Sequence, residues 1–390
     1  IRLSRMSKKK ILSVTGIRSE YDILYSVYNA IENHPNLDLK VIATGAHLSP
    51  LHSRSVNDIR NDGFEVVEEI ESLINSDSLE SRVKGLAIQM QGMIQTTRRI
   101  NPDILLVLGD REESIATALI GSYMNIPVAH ISGGDRVIGN VDDQVRHAVS
   151  KLSHIHFVTN DQSYDRLIKM GEQDFRVYNT GNPGLDRIVD TENMSLESIS
   201  ESLSIDLLEK PFIILIQHVI SSETDMSSMQ MEETMIAIER MGITTIMSHP
   251  NSDPGSNEII RVIDNYKNLE NLHILKNIPR TEFINLLRRA SCLIGNSSAG
   301  ILEAPILKLP VVNIGNRQKG RLHADNVEFV PHDSEKIEAA IKKALYDKGY
   351  RSMVENCSNP YGDGRSSKKI AEILHSLTID DKLLTKDITY

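Results

Sequence analysis

The stretch DILLVLGD at residues 103–110 decides the fold class of this chain. Its five consecutive apolar residues lack the alternation of a half-exposed strand, so they predict a strand buried on both faces of a parallel sheet. Helical periodicity precedes this strand at residues 79–100 and follows it at residues 113–124. Strands that alternate with helices in this way indicate βα units and an α/β fold with a doubly wound sheet.

The same alternation extends along the chain in both directions. Further strands are predicted at residues 8–16, 39–45, 64–70, 128–134, 154–159 and 176–181, and again at 212–217, 244–248, 272–275, 292–294 and 311–314. A polar, serine-rich and acidic stretch at residues 192–210 separates the two series and is predicted to be a linker. A length of 390 residues suits two domains. We therefore predict two Rossmann-like domains facing a central cleft, at residues 8–190 and 205–365, and a helical C-terminal segment at 366–390 that is free to pack back on the first domain.

Composition narrows the class of protein. The net charge of −10 argues against a general nucleic-acid or membrane-surface binder, so neither partner is expected. No apolar run is long enough to span a bilayer, and residues 1–7 carry no signal-peptide core, which makes Met6 a reasonable native start. The two cysteines, Cys292 and Cys357, cannot form a disulfide framework or a cysteine-rich zinc site. We expect a cytoplasmic protein.

Ligands of open α/β sheets bind beyond the carboxyl ends of the strands. That rule selects the polar residues that directly follow each predicted strand. They are Arg18, His47, Asp110, Arg111, residues 132–135, His218, residues 249–253, residues 296–298 and residues 317–321. Because so many of these side chains are charged or carry an imidazole ring, we expect a functional site among them.

The stretch CLIGNSSAGILE at residues 292–303 predicts a strand, a tight turn and the start of a helix. Free N–H groups and the dipole at a helix N-terminus favour a bound anion, and Ser297 and Ser298 add hydroxyl donors. Glu303 is predicted to lie one to two turns into that helix, where its carboxylate can accept from sugar hydroxyls. An ordinary serine-capped helix is an equally open interpretation. The stretch is not a Walker loop, because no Gly-Lys-Ser/Thr follows.

Carboxylates are concentrated in the first half of the chain. Asp110 ends the most hydrophobic strand, where burial raises the pKa of a carboxyl group and suits it to proton transfer. The alternative for Asp110 is a helix N-cap or an ion pair with Arg111. Asp142 and Asp143 start a predicted helix, and since adjacent helical residues face different ways, at most one of them should point to a ligand.

The second half contributes candidate anion-binding groups. His218, His249, Arg317 and Arg321 follow strands there, so we expect this half to hold an anionic leaving group while the first half does acid–base work. A buried core histidine is the alternative for His218. A zinc site made by His218, His249 and an aspartate has no supporting spacing such as HExxH, so neither a metal nor another cofactor is expected.

Six short motifs occur in a fixed order: TGIR (15–18), GDR (109–111), HISGGD (130–135), DDQVRHA (142–148), GNSSAG (295–300) and NRQKGR (316–321). Together, over residues 8–369, they resemble the hydrolysing UDP-N-acetylglucosamine 2-epimerases of sialic- and legionaminic-acid-type pathways. The resemblance implies two Rossmann-like domains in the glycosyltransferase-B arrangement. It also implies a homodimer or homotetramer with a UDP-sugar substrate and UDP as product.

The implied reaction converts UDP-N-acetylglucosamine and water to N-acetylmannosamine and UDP through a 2-acetamidoglucal. By position, Asp110 and Asp142 match the acid–base carboxylates of the family, and His218 matches a histidine near the diphosphate that we count among the catalytic residues. The positions that match UDP-holding residues are Arg18, Asn251, Asp253, Ser297, Ser298, Glu303 and Arg317, and we expect the strand-end residues His249, Asn296 and Arg321 to join them.

One departure leaves the substrate open. Many members carry a glutamate where Ser132 stands, and Asp135 is the candidate replacement for that catalytic carboxylate. Alternatively, the substrate is the UDP-linked 2,4-diacetamido-2,4,6-trideoxyhexose that related legionaminic-acid enzymes use. A non-hydrolysing 2-epimerase, a glycosyltransferase and a non-enzymatic nucleotide-sugar sensor remain as further alternatives.

Overall fold

The structure, a computed structural model, describes residues 8–50, 54–74, 79–136, 141–208, 211–220, 223–250, 256–276 and 278–390, without the side chains of Leu79, Val141 and Asp142. The chain divides into two compact units, one of Ile1–Val189 with Tyr361–Tyr390 and one of Asp190–Pro360. Each unit is built on one parallel sheet with helices between the strands. The predicted α/β class with two Rossmann-like halves is confirmed.

The first unit contains a seven-stranded sheet in the order β3-β2-β1-β4-β5-β6-β7. Its strands are β1 (Lys9–Thr15), β2 (Leu37–Thr44), β3 (Val66–Ile70), β4 (Ile104–Leu108), β5 (Val128–Ile131), β6 (Ile155–Val158) and β7 (Val177–Asn179). Its helices up to the second unit are α1 (Arg18–Glu32), α2 (Val56–Asn61), α3 (Leu79–Ile100), α4 (Glu112–Met124), α5 (Val141–Leu152), α6 (Asp161–Lys169) and α7 (Gly184–Asp190). All five residues of β4 are buried, as its uninterrupted apolar sequence predicts. Strand order reverses between β1 and β4, which makes this the topological switch point.

The second unit repeats the pattern with six strands in the order β10-β9-β8-β11-β12-β13. The strands are β8 (Phe212–Ile216), β9 (Thr244–Ser248), β10 (Leu272–Leu275), β11 (Cys292–Gly295), β12 (Val311–Ile314) and β13 (Val327–Val330). The helices are α8 (Leu196–Leu203), α9 (Ser227–Met241), α10 (Ser256–Tyr266), α11 (Arg280–Arg289), α12 (Ala299–Leu302), α13 (Ser334–Tyr346) and α14 (Lys348–Asn356). The edge strand β13 was not expected, because its four residues are only partly buried or exposed and give no strong apolar signal.

Two expectations about local structure are wrong. The stretch at 192–210 is not simply a linker, because it contains α8, which Ser195 caps at its N-terminus and which buries Ile199. Its polar composition therefore reflects one exposed helix face rather than an extended connection. Strand β5 ends at Ile131 instead of running to residue 134, because Ser132 takes a left-handed conformation with φ of 63° and turns the chain.

The C-terminal segment forms α15 (Ser366–Ser376) and α16 (Asp381–Leu384) and belongs to the first unit. Ile370 and Leu374 of α15 lie in one apolar core with residues of α1 and β1. The carboxylate of Asp186 accepts from the first backbone N–H groups of α15, and the ammonium of Lys9 donates to three carbonyls at its other end. Both ends of the helix are thus satisfied by the first unit. Within the described ranges, no helix combines the length and apolar character needed to cross a bilayer.

Candidate active site

The carboxyl ends of β4 and β5 are joined by one guanidinium group. Asp110 follows β4, and Arg146 of α5 donates to its Oδ2 through Nη2. Arg146 Nη1 also donates to the carbonyl of Ser132, at 3.1 Å. The side chains are only 17% and 9% exposed for Asp110 and Arg146. Asp110 is therefore both largely buried and paired with a cation, and the ion pair that the sequence analysis proposed as an alternative is made with Arg146.

Arg111 is not the partner of Asp110. Its Nε lies 3.5 Å from Glu113 Oε2, and its Nη2 lies 3.7 Å from Glu112 Oε2. Glu112 is paired in addition with Arg82 of α3. The two charged residues that follow β4 thus turn to opposite sides, Asp110 towards β5 and Arg111 towards α4.

Asp135 is held by hydroxyl groups. Its Oδ1 accepts from Thr159 Oγ1 at 2.6 Å and from Ser163 Oγ at 2.7 Å, beyond the end of β6. These contacts fix the carboxylate at the same edge of the sheet as Asp110. Asp142 lies in α5, but its side chain is outside the described part of the chain, so its role stays a prediction.

The sequence analysis missed a buried pair of glutamates at the switch point. Glu20 of α1 is 5% exposed and Glu113 of α4 is 3% exposed. Glu20 Oε2 accepts from the N–H of Gly16, and Glu113 Oε1 lies where a Cβ on Gly16 would stand. The sequence feature that could have indicated this pair is a glutamate in the first turn of the helices that follow the two central strands, β1 and β4. His47, predicted as a strand-end residue, is also fully buried here and bonds Thr15 and Ser55.

In the second unit, Asn296 joins three strand ends. Its Oδ1 accepts from the backbone N–H of His218 and its Nδ2 donates to the carbonyl of the same residue, each at 2.8 Å. Its own carbonyl accepts from Arg317 Nη1 at 3.1 Å and from Gln318 Nε2 at 3.0 Å. The prediction that the Asn296 side chain binds UDP needs correction, because its two polar groups are engaged with backbone and only 1% of the residue is exposed. Asn296 positions His218 and Arg317, and Gln318, which the sequence analysis included only within residues 317–321, provides a second donor to the Asn296 carbonyl.

The predicted anion seat has a different geometry from the expected one. Helix α12 is a single turn of four residues, so it lacks the aligned peptides that build a strong helix dipole. Glu303 caps its C-terminus instead of lying one to two turns inside, and its Oε1 lies 3.4 Å from Arg280 Nη2. Ser298 stands at the N-cap without a side-chain cap bond, and Ser297 Oγ accepts from the N–H of Ala299. Donors here are thus individual hydroxyl and N–H groups.

Gly295 makes this turn possible. Its φ is 116°, and an added Cβ would lie 2.0 Å from the carbonyl oxygen of Ile216. A side chain at this position would therefore separate β11 from β8 and displace Asn296.

The remaining predicted binding residues are dispersed along the strand ends. Arg321 Nη1 donates to Gln318 Oε1, His249 Nδ1 lies 3.2 Å from the carbonyl of Pro250, and Arg18 is an exposed first residue of α1. Asn251 and Asp253 lie outside the described residues. Among the residues whose placement is given, no three histidine, cysteine or acidic side chains are grouped as ligands of a metal ion.

A family model described as UDP-N-acetylglucosamine 2-epimerase matches residues 29–375. The chain belongs to the UDP-N-acetylglucosamine 2-epimerase family. The resemblance drawn from the ordered motifs is therefore confirmed at the level of the family, which is a family of epimerases.

Named relatives and a solved structure agree with this membership. The chain is 34% identical to a UDP-N,N'-diacetylbacillosamine 2-epimerase (hydrolyzing) of Legionella pneumophila, over 98% of this chain and 100% of that one. It is 31% identical to a UDP-N-acetylglucosamine 2-epimerase of Neisseria meningitidis, over 86% of this chain and 87% of that one. A crystal structure of UDP-GlcNAc 2-epimerase from Neisseria meningitidis bound to UDP-GlcNAc superposes with a TM-score of 0.75 at 21% identity, covering 94% of this chain and 99% of that one, which supports the fold.

Proposed function

We propose that this member of the family is a hydrolysing 2-epimerase that cleaves a UDP-linked 2-acetamido sugar, releases UDP and inverts the configuration at C2. The observation that carries the proposal is the 34% identity, over 98% of the chain, to a relative named as a hydrolysing 2-epimerase. The charged residues at the strand ends of the two units supply the groups that such a reaction needs.

The first step is an elimination. A base takes the C2 proton, the C2–H electron pair forms the C1=C2 double bond, and UDP leaves C1 with the electrons of the C1–O bond. The C2 proton is not acidic, so its removal requires a positioned base and a stabilised leaving group. We assign the base role to Asp110, because Arg146 holds its carboxylate and favours the charged form.

The second step adds water to the glycal. The water oxygen bonds to C1, its proton passes to a carboxylate, and the C1=C2 electron pair takes a proton at C2 from a carboxylic acid on the opposite face. We assign these transfers to Asp142 and Asp135. We propose that Asp135, whose carboxylate is anchored by Thr159 and Ser163, replaces the glutamate that many family members carry at the position of Ser132.

Leaving-group stabilisation is assigned mainly to the second unit. Hydrogen-bond donors and cations aimed at the diphosphate reduce the barrier, because negative charge develops there as the C1–O bond breaks. We propose that Ser297, Ser298 and Arg317 bind the diphosphate with Arg18, and that His218 lies beside it. The predicted UDP and sugar contacts at His249, Asn251, Asp253, Glu303 and Arg321 complete this proposal.

UDP-N,N'-diacetylbacillosamine is the first substrate that we propose, because the relative with 34% identity carries that substrate in its name. UDP-N-acetylglucosamine is the second candidate, since the family model and a 31% identical relative are named for it. We further propose a cytoplasmic homodimer or homotetramer. The two cysteines are buried and unpaired, which suits a reducing compartment, and light scattering after size exclusion tests the assembly.

The deciding experiment incubates the protein with each UDP-sugar in deuterated water and follows the products by NMR. We expect free UDP and a reducing 2-acetamido sugar that carries deuterium at C2, with a higher kcat/KM for the diacetamido substrate. Recovery of a C2-inverted UDP-sugar without release of UDP would instead identify a non-hydrolysing epimerase. A sugar transferred to an added acceptor with C2 unchanged would identify a glycosyltransferase.

A further inference from the structure

The carboxyl groups of two glutamates lie against one glycine at the switch point of the first unit. Glu20 Oε2 accepts from the N–H of Gly16 at 2.9 Å and from Thr15 Oγ1 at 3.0 Å. Glu113 Oε1 stands 1.5 Å from the position that a Cβ on Gly16 would occupy. Both carboxyl groups are therefore packed against the turn that leads from β1 into α1, whose first residue is Arg18.

In the part of the chain that the structure describes, too few cations face this pair for both carboxyl groups to be ionised. Arg111 contacts Glu113 at 3.5 Å but also faces Glu112, and Arg82 pairs with Glu112 rather than with either buried acid. Burial first, and then the charge of Glu113, raise the pKa of Glu20 to about 8. Burial likewise raises the pKa of Glu113. Neighbouring buried carboxyl groups cannot both ionise cheaply, so the pair retains one proton near neutral pH.

The charge of Arg111 opposes the rise in the pKa of Glu20, whereas the hydroxyl, imidazole and phenol groups near Glu20 are neutral. Thr15 donates its hydroxyl proton to Glu20, so it accepts from Nε2–H of His47, whose Nδ1 accepts from Ser55 Oγ at 2.8 Å. Burial lowers the pKa of His47 to about 4, which keeps the ring uncharged. Tyr28 of α1 also stays neutral, because burial raises the pKa of its phenol well above the usual range. None of these groups can replace the missing positive charge.

Each acid keeps one oxygen without a hydrogen bond. Glu20 Oε1 and Glu113 Oε2 are buried and have no hydrogen-bond partner among the described atoms. A buried carboxyl oxygen without a hydrogen bond destabilises the folded state, although Glu113 Oε2 retains its ion contact with Arg111. Ligands of open α/β sheets bind at the topological switch point. Two buried acids with unsatisfied oxygens at that place therefore indicate a role beyond packing.

We propose that Glu20 and Glu113 form a one-proton clamp that positions the Gly16–Arg18 turn, and through it the Arg18 guanidinium, for the diphosphate of the substrate. The inference rests on the proposed function in one respect, namely that Arg18 binds UDP. Loss of the shared proton places two negative charges against Gly16 and releases the turn. We assign both acids as positioning residues, because they are buried and act on the substrate through the turn.

The clamp predicts a specific pH dependence of UDP binding. A group with a pKa of about 8 is protonated in roughly one molecule in eleven at pH 9, and the apparent affinity of a state-selective ligand falls by the same fraction. Wild-type UDP affinity measured by isothermal titration calorimetry should therefore fall about tenfold between pH 7 and pH 9. Glu20→Gln and Glu113→Gln, which leave a single carboxyl group, should abolish that fall.

Controls separate the clamp from general pH effects and from the proposed enzyme activity. Glu68→Gln breaks an acid–arginine pair with Arg99 in the edge strand β3, away from the clamp, and should keep the wild-type pH dependence. Arg18→Ala should bind UDP weakly at both pH values and lose the dependence. Infrared spectroscopy should show a protonated carboxyl band that titrates between pH 7 and pH 9 in the wild type and is lost in Glu20→Gln, without any substrate.

A wild-type protein with no such band, or with equal UDP affinity at pH 7 and pH 9, overturns the clamp whatever sugar is turned over. A pH dependence that survives in Glu20→Gln and Glu113→Gln also overturns it. If instead the band titrates and the affinity falls, but no UDP-sugar is consumed, the clamp stands and the proposed reaction fails.

Discussion

Replacing the carboxylate of Asp110 tests the proposed chemistry most directly. Asp110→Asn keeps the shape of the side chain but cannot accept the C2 proton. A positioned base contributes about 10²–10⁴-fold to rate, so kcat should fall by about that factor, or about 3–5 kcal/mol in the barrier. UDP affinity should change little, because the assigned diphosphate ligands are Arg18 and residues of the second unit.

The structure also sets the expected cost in stability. Breaking a fully buried ion pair costs about 3–5 kcal/mol of unfolding free energy. Breaking the Asp110–Arg146 pair should cost less, because Asp110 is 17% exposed and Arg146 keeps its hydrogen bond to the Ser132 carbonyl. The assay combines single-turnover release of UDP, calorimetry with UDP and urea unfolding. The matched control is Glu68→Gln, which breaks an acid–arginine pair with Arg99 at the far edge of the sheet and should leave kcat unchanged.

Arg146→Gln sharpens the test. Removing the guanidinium should move the acidic limb of the kcat profile, where the base becomes protonated, towards higher pH, because the carboxylate loses the charge that favours its ionised form. If Asp110→Asn mainly raised KM and left kcat near the wild-type value, or if Glu68→Gln lost as much activity, the assignment of Asp110 as the base would be refuted.

Three further predictions concern the strand ends. Gly16→Ala should lower the free energy of unfolding by about 1–3 kcal/mol, because its Cβ would overlap Glu113 Oε1. Most of that loss should vanish in a Glu113→Ala background. If urea unfolding instead gave additive losses for the two substitutions, the packing of Glu113 against Gly16 would be contradicted. Glu20 holds its proton in the folded state up to about pH 8 but releases it near pH 4.5 in the unfolded chain. The stability of the wild type should therefore fall as the pH rises from 4.5 to 8, and Glu20→Gln should reduce that fall. Equal pH dependence of stability in the wild type and in Glu20→Gln would count against a protonated, buried Glu20. Asn296→Ala should cost about 2–5 kcal/mol by leaving the N–H and carbonyl of His218 unpaired, and should weaken UDP binding; a variant with wild-type stability would show that the amide is dispensable.

The proton-bearing pair illustrates why part of the candidate site is invisible to sequence reasoning. Glu20 and Glu113 lie 93 residues apart, and each by itself is an ordinary acid in the first turn of a helix. Only the adjacency of β1 and β4 brings both to Gly16, and burial there changes their chemistry. The same holds for Asn296, whose role depends on the contact between β8 and β11.

The amino-acid sequence by itself determined the local elements and the candidate strand-end residues. The apolar run of β4 and the periodicity of α3 can be recognised without knowing any distant contact, because the spacing of apolar residues along the chain indicates which side chains are buried. The sequence also placed the polar residues after each strand, since parallel strands end at one edge of a sheet.

Only the tertiary structure decided which charges meet and where weak elements form. The partner of Asp110 is Arg146 rather than Arg111, and the cap of the α15 C-terminus is Lys9, which bonds the carbonyl of Leu374 365 residues away. Helix α8 forms because Ile199 is buried against the second unit, and strand β13 forms because its backbone pairs with β12. Hydrogen bonds and ion pairs between distant residues depend on how sheets and helices pack. The spacing of residues along the chain does not predict that packing.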